Sequence, residues 1–158
     1  MGMGIQRIEE SLYIDASPQE VWDFVSDPSN LKLITPPSMG FEIRTADLPD
    51  KIYPGLMIRY RVRPFAGIPT NWLTEITHVR ELEYFVDEQR SGPYSLWHHE
   101  HHIQAEGNGT RMRDIVTYRL PLGILGDLAR ILFVRKRLGQ IFSYRRNKLE
   151  QIFPSHGS

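Results

Sequence analysis

The sequence predicts one α+β domain, with a seven-stranded antiparallel sheet, two short helices after the first strand, and a long C-terminal helix. Three observations carry this. Runs of period-two apolar alternation recur between Ile8 and Leu120. The gaps between them hold short turn chemistry, which favours hairpins over parallel crossovers. After Pro121-Leu122-Gly123 the apolar spacing becomes helical.

The elements follow in order. Ile8, Leu12 and Ile14 alternate with polar residues as a half-buried strand, although Glu10 breaks its apolar face. Ser17-Pro18-Gln19-Glu20 then supplies a cap residue, a proline at the first helical position and a capping-box Glu before Val21, Trp22, Phe24 and Val25. Asp27-Pro28 ends that helix, and a second short helical turn over Leu31 to Ile34 is closed by Pro36-Pro37. Six more strands are centred on Phe41-Ile43-Thr45, Leu56 to Val62, Trp72-Thr74-Ile76, Tyr84-Val86, Trp97 to Ile103 and Met112 to Leu120. Their separators include Pro49-Asp50-Lys51, Gly67-Ile68-Pro69, Arg80-Glu81, Ser91-Gly92-Pro93 and Gly107-Asn108-Gly109. The closing helix places Leu125, Leu128, Leu132, Leu138, Ile141, Phe142, Leu149 and Ile152 near one face and ends about Phe153-Pro154. With no repeat, linker or low-complexity segment, residues 5–154 read as a single domain, and the chain's 158 residues suffice to bury a core.

Composition narrows the function classes. Nineteen basic and 19 acidic side chains cancel, which removes the overall positive field that nucleic-acid binding usually exploits. With no cysteine there is no disulfide framework, thiol nucleophile or thiolate metal site. The N-terminal MGMGIQRIEES has no apolar core of signal-peptide length, and no stretch approaches the ~18 apolar residues that span a bilayer. A cytoplasmic protein without an integral membrane segment is expected. Arg130, Arg135, Lys136, Arg137, Arg145, Arg146 and Lys148 make the last helix locally cationic. This reads as the solvated face of an amphipathic helix, with an acidic ligand, a partner protein or a membrane surface as alternatives.

Trp97-His98-His99-Glu100-His101-His102 is the most unusual stretch, holding four of the six histidines. On a strand, His98, Glu100 and His102 share one face, and Trp97, His99, His101 and Ile103 the other, which the apolar ends mark as inward. The outward set reads as a surface polar stripe. The inward imidazoles stand ~6.5–7 Å apart at Cα, close enough to share a metal if a neighbouring strand adds a ligand. Asp114, on the apolar face with Met112, Val116, Tyr118 and Leu120, is the natural third group. Three uses fit these residues: polar anchors or a structural hydrogen-bond network, a His/Asp acid/base set, or a zinc or iron site. No sequence-local ligand completes a metal set, so neither a metal nor another cofactor is assigned.

The aromatics Tyr60, Trp72, Phe85, Trp97, Tyr118, Phe142 and Tyr144 recur on strand faces or on the last helix. They can fill a core or line a cavity for a flat apolar ligand. Arg145 is a candidate counter-charge at the pocket side of the helix. The sequence holds no nucleophile elbow, phosphate loop, dinucleotide fingerprint or HExxH pair.

Taken together, the opening Ser17-Pro18-x-x-Val21-Trp22, the Phe85-x-Asp87-x-Gln89-x-x-Gly92-Pro93 segment and the Trp97-x-His99-x-His101-x-Ile103 strand resemble the START/Bet v 1 superfamily. Asp114-x-Val116-x-Tyr118-x-x-Pro121-x-Gly123 and Phe142-x-Tyr144-Arg145 extend the resemblance over nearly the whole chain. Within it, the chain resembles the stand-alone bacterial ligand-binding SRPBCC subgroup. The resemblance implies a helix-grip fold, in which the sheet curls round the last helix and leaves a cavity for an apolar or lipid-like molecule. The implied ligand-binding set is Tyr60, Trp72, Phe85, Gln89, Trp97, His99, His101, Asp114, Tyr118, Phe142 and Arg145. A non-enzymatic binder is the first expectation. A polyketide cyclase or aromatase using a His/Asp pair is the alternative, and a homo-oligomer is left open.

Overall fold

Local signals at the start of the chain set the first turn of structure. Ser17 Oγ accepts from the Glu20 amide at 3.3 Å, and the Glu20 carboxylate accepts from the Ser17 amide at 2.8 Å. This reciprocal box opens helix α1, Pro18–Val25, directly after strand β1, Ile5–Ile14. The computed structural model describes residues 4–64, 67–121 and 128–155, apart from the side chains of 128–130. Two 3-10 turns, Pro28–Ile34 and Pro37–Met39, lead to a two-residue strand β2, Glu42–Ile43. Strands β3 (Met57–Val62), β4 (Thr70–Arg80), β5 (Tyr84–Ser91), β6 (Leu96–Glu106) and β7 (Gly109–Arg119) follow, and helix α2, Leu128–Ile152, comes last.

The seven strands form one curved antiparallel sheet in the order β1-β7-β6-β5-β4-β3-β2. Consecutive strands pair from β2 to β7, and β1 closes onto β7 with Ile14 opposite Thr110. Because β1 and β2 lie on opposite edges, the segment joining them must cross the sheet. It does so through α1 and the 3-10 turns, which pack with α2 over the concave face. Register shifts at Leu73/Thr74 and Ile76/His78 mark bulges in β4, the kind of irregularity that bends a strand. The β6–β7 hairpin turns at Gly107, whose φ of 57° suits glycine. Gly109 sits so close to β1 that a Cβ there would collide with the Ile14 carbonyl oxygen.

The inward faces build two apolar clusters, one joining Ile14, Val21, Trp22, Ile58, Phe85, Met112 and Leu149, the other Tyr94, Val116, Tyr118, Val134, Leu138 and Phe142. The buried stripe of α2 runs Val134, Leu138, Phe142, Arg145, Leu149, a spacing of three and four residues. Two residues expected on that stripe are not there: Leu132 is 57% exposed and Ile152 38%. The stripe that meets the sheet is narrower than a count of apolar residues suggests, because a buried Arg145 takes one of its positions. Leu125 and the side chain of Leu128 lie outside the described residues. The odd Glu10 of β1 is explained by α2, since Arg146 donates to its carboxylate at 3.1 Å. No helix among the described residues is long and apolar enough to cross a membrane.

Ser17→Ala removes the side-chain half of the capping box and is expected to cost about 1 kcal/mol of folding stability. Urea denaturation followed by far-UV circular dichroism measures it, and an unchanged midpoint would show that the cap contributes nothing.

Candidate functional site

Alternation along β6 turns His99, His101 and Ile103 inward, all of them buried, and leaves His98, Glu100 and His102 half-exposed on the other side. The outward set pairs off at the surface, His98 with Glu88 at 2.7 Å and His102 with Glu100 at 2.8 Å. The sheet register then sets Asp87 of β5 opposite His99 and Asp114 of β7 opposite His101. From above, α2 adds Arg145, only 7% exposed. Three neighbouring strands and one helix therefore bring two carboxylates, two imidazoles and a guanidinium together.

The contacts are close. Oδ1 of Asp114 lies 3.0 Å from His99 Nε2, 2.9 Å from His101 Nδ1 and 3.4 Å from Arg145 Nη2. Oδ2 of Asp87 lies 2.6 Å from His101 Nε2 and 3.4 Å from His99 Nδ1, while its Oδ1 accepts from Trp97 Nε1 at 3.3 Å. Arg145 Nη2 also lies 3.4 Å from His101 Nδ1. That nitrogen faces a nearer carboxylate and so carries a proton, which makes Asp114 the acceptor that Arg145 shares. The His101 ring is stacked on Phe85, at 4.0 Å between centroids, and meets His99 on the other side at 3.7 Å with the rings tilted by 35°.

Burial would push both carboxyls up, but their cationic neighbours prevail. Arg145 and the two imidazoles hold Asp114 well below the usual carboxylate range, and His99 and His101 hold Asp87 below it. Burial likewise opposes charge on His101, yet its hydrogen bonds to Asp114 and Asp87 raise it. His99 moves the other way, lowered by burial and by the positive charge of His101. A proton is therefore held more firmly on His101 than on His99, beside carboxylates that stay ionised.

The cluster borders a cavity of about 190 Å³ between the sheet, the first 3-10 turn and α2. That is far above the ~10–15 Å³ that holds one water. Its wall is mainly apolar and aromatic. Of the residues expected from the sequence, Tyr60, Trp72, Phe85, Trp97, His99, His101, Phe142 and Arg145 belong to it. Three others lie elsewhere. Asp114 stands behind the histidines beside a small cleft with Arg146 and Glu10. Tyr118 is fully buried in the second apolar cluster. Gln89 clamps the β5–β6 turn, donating to the Tyr94 carbonyl at 2.7 Å and accepting from the Tyr94 amide at 3.1 Å.

Asp87 and Tyr94, both in the wall, were not picked out from the sequence as site residues. For Asp87 a signal existed: an inward Phe85 two residues earlier puts it on the same face. Val86 obscured it, because Phe85 and Val86 are both buried and β5 lacks a clean alternation. Tyr94 lies in a turn, where periodicity says nothing. Trp72 Nε1 and Arg145 Nε are buried without a hydrogen-bond partner among the described residues.

A family model described as polyketide cyclase / dehydrase and lipid transport matches residues 14–141. Among solved structures, TTHA0849 from Thermus thermophilus is similar at 23% identity and a TM-score of 0.67, with 97% of this chain and 100% of that chain covered. A START superfamily protein from Mycobacterium smegmatis is similar at 15% identity and a TM-score of 0.69, covering 93% and 96%. Ginseng major latex-like protein 151 from Panax ginseng reaches 12% identity and a TM-score of 0.68, covering 97% and 99%. These identities carry the fold alone. The comparison with curated proteins gives no match.

Removing Asp114 strands a buried guanidinium. Asp114→Ala is expected to destabilise the fold by about 3–5 kcal/mol, whereas Glu9→Ala, which breaks the exposed Arg7 pair, should change stability by less than ~1 kcal/mol. Equal losses in urea denaturation would mean that the cluster does not tie α2 to the sheet.

Proposed function

Because the chain belongs to the polyketide cyclase / dehydrase and lipid transport family, we propose that it binds an apolar small molecule in the cavity under α2. The observation that carries this reading is the wall itself. Ile58, Ile76, Trp72, Trp97 and Phe142 present apolar surface, while Asp87, His99, His101 and Arg145 supply a local polar set. Sites for small molecules commonly combine these two features. A ligand with one polar end on an otherwise apolar, ring-containing body matches this wall best.

A polyketide cyclase or aromatase is the second reading. The contact between Asp114 and His99 at 3.0 Å favours it, because it engages one ring nitrogen and leaves Nδ1 beside Asp87 in the wall. Such an enzyme would fold a reactive chain by enclosure and use the oriented ring for proton transfer.

Native mass spectrometry of the purified chain is the direct test of binding, with an adduct that organic extraction removes as the expected result. Ile58→Phe, which puts added volume into the cavity wall, should abolish the adduct and leave the far-UV spectrum intact. Protein that is always empty, and that takes up no apolar probe, would overturn the reading. Ring-closed product from a poly-β-ketone, lost in Ile58→Phe, would favour the enzyme over the carrier.

A further inference from the structure

We propose that Asp87, His99 and His101 form a mononuclear site for a divalent transition metal of the zinc or iron(II) class. One ligand atom from each lies within 4.8 Å of the other two. The sequence makes Asp114 the natural third member of the set, yet the structure gives it a different place. Its Oδ1 meets His99 Nε2 and His101 Nδ1, at 3.0 and 2.9 Å. A carboxylate facing a ring nitrogen accepts a proton from it, so these two nitrogens are the protonated ones. In neutral rings, His99 Nδ1 and His101 Nε2 are then bare lone pairs.

Both lone pairs converge on Oδ2 of Asp87, at 3.4 and 2.6 Å. Three electron-rich atoms this close attract a cation, and in the metal-free cluster a proton on His101 Nε2, 2.6 Å from Asp87 Oδ2, fills that role. A single proton on His101 joins one pair of the three. A metal ion joins all three, as two imidazoles and one carboxylate, a donor set suited to zinc or non-haem iron. Bonds of ~2.1 Å in a tetrahedral arrangement place ligand atoms about 3.4 Å apart, so Asp87 would have to withdraw from His101 by less than ~1 Å.

The surroundings match what metal ligands need behind them. Asp114 holds the far nitrogen of both rings, Arg145 holds Asp114, and Trp97 Nε1 holds the other oxygen of Asp87 at 3.3 Å. Such partners orient ligating histidines and carboxylates. The charges point the same way: Asp87, Asp114 and Arg145 with neutral rings sum to one negative charge in a buried site. A divalent ion reverses that to one positive charge, and an anionic oxygen donor from the cavity side would neutralise it. This last step rests on the cavity being a ligand site, whereas the metal site does not.

The test uses the full chain, treated with a chelator, extracted free of apolar ligand, and titrated with Co2+ and then Zn2+. One equivalent per chain is expected, with the visible absorption of four- or five-coordinate cobalt that zinc displaces. Asp87→Asn and His99→Gln should each weaken uptake beyond the roughly 10–100-fold loss typical of an outer-shell change. The double substitution His98→Ala/His102→Ala, on the opposite face, should leave uptake unchanged. Absence of stoichiometric uptake by the unsubstituted chain overturns the proposal, as does uptake lost with His98 and His102. Should the buried variants fail to fold, anomalous scattering at the zinc edge from crystals of the unsubstituted chain decides: density at Asp87, His99 and His101 supports the site, and density elsewhere overturns it. An empty cavity in native mass spectrometry leaves this outcome untouched, so the two readings fail separately.

Discussion

Oδ1 of Asp114 gathers donors from His99, His101 and Arg145, three residues on two structural layers. A carboxylate nearly removed from water must be compensated, and here the compensation comes partly from the strand beside it and partly from the helix above. The guanidinium occupies a position on the buried stripe of α2 that an apolar residue would otherwise take. The helix therefore meets the sheet at a defined rotation and height, since only one setting brings Arg145 to Asp114.

The cavity follows from the same constraint. The sheet curves, β1 closes on β7, and the segment between β1 and β2 crosses the open side of the concave face. With α2 held by Arg145 and by the Arg146 to Glu10 pair at its margin, it cannot slide freely down to fill the space. Packing of His101 between Phe85 and His99 stiffens the polar wall. Trp72, Tyr94 and Trp97, with ring centroids between 4.9 and 5.6 Å apart, stiffen the aromatic one. Packed rings on one side and a charge-compensated cluster on the other are what keep such a space from collapsing.

Much of this could be read along the chain. The capping box at Ser17 and Glu20, the Gly107-Asn108 turn and the inward placing of His99, His101 and Asp114 all come from patterns spanning a few residues, and the structure has each of them. Other features resisted the same reasoning for definite causes. Asp87 was hidden because β5 buries side chains on both faces. Gln89 looked like a ligand contact because its motif says nothing of its two bonds to the Tyr94 backbone. Leu132 and Ile152 had the apolar character of a buried face, but α2 contacts the sheet along a strip too narrow to include them.

The sequence alone determined the α+β class, the order of elements, and the face on which most strand residues lie, because alternation and helical spacing are local properties of a chain. It also made plain that the inward face of β6 carries two imidazoles. Asp114 was legible beside them, but that Asp87 meets the same imidazoles, and through which nitrogens each carboxylate does so, was decided only by tertiary structure. Asp87 and Asp114 are 27 residues apart along the chain, and they flank the same pair of histidines because β5 and β7 lie on either side of β6. Strand order, register and the rotation of α2 are long-range outcomes of packing, and the chemistry of the site depends on all three.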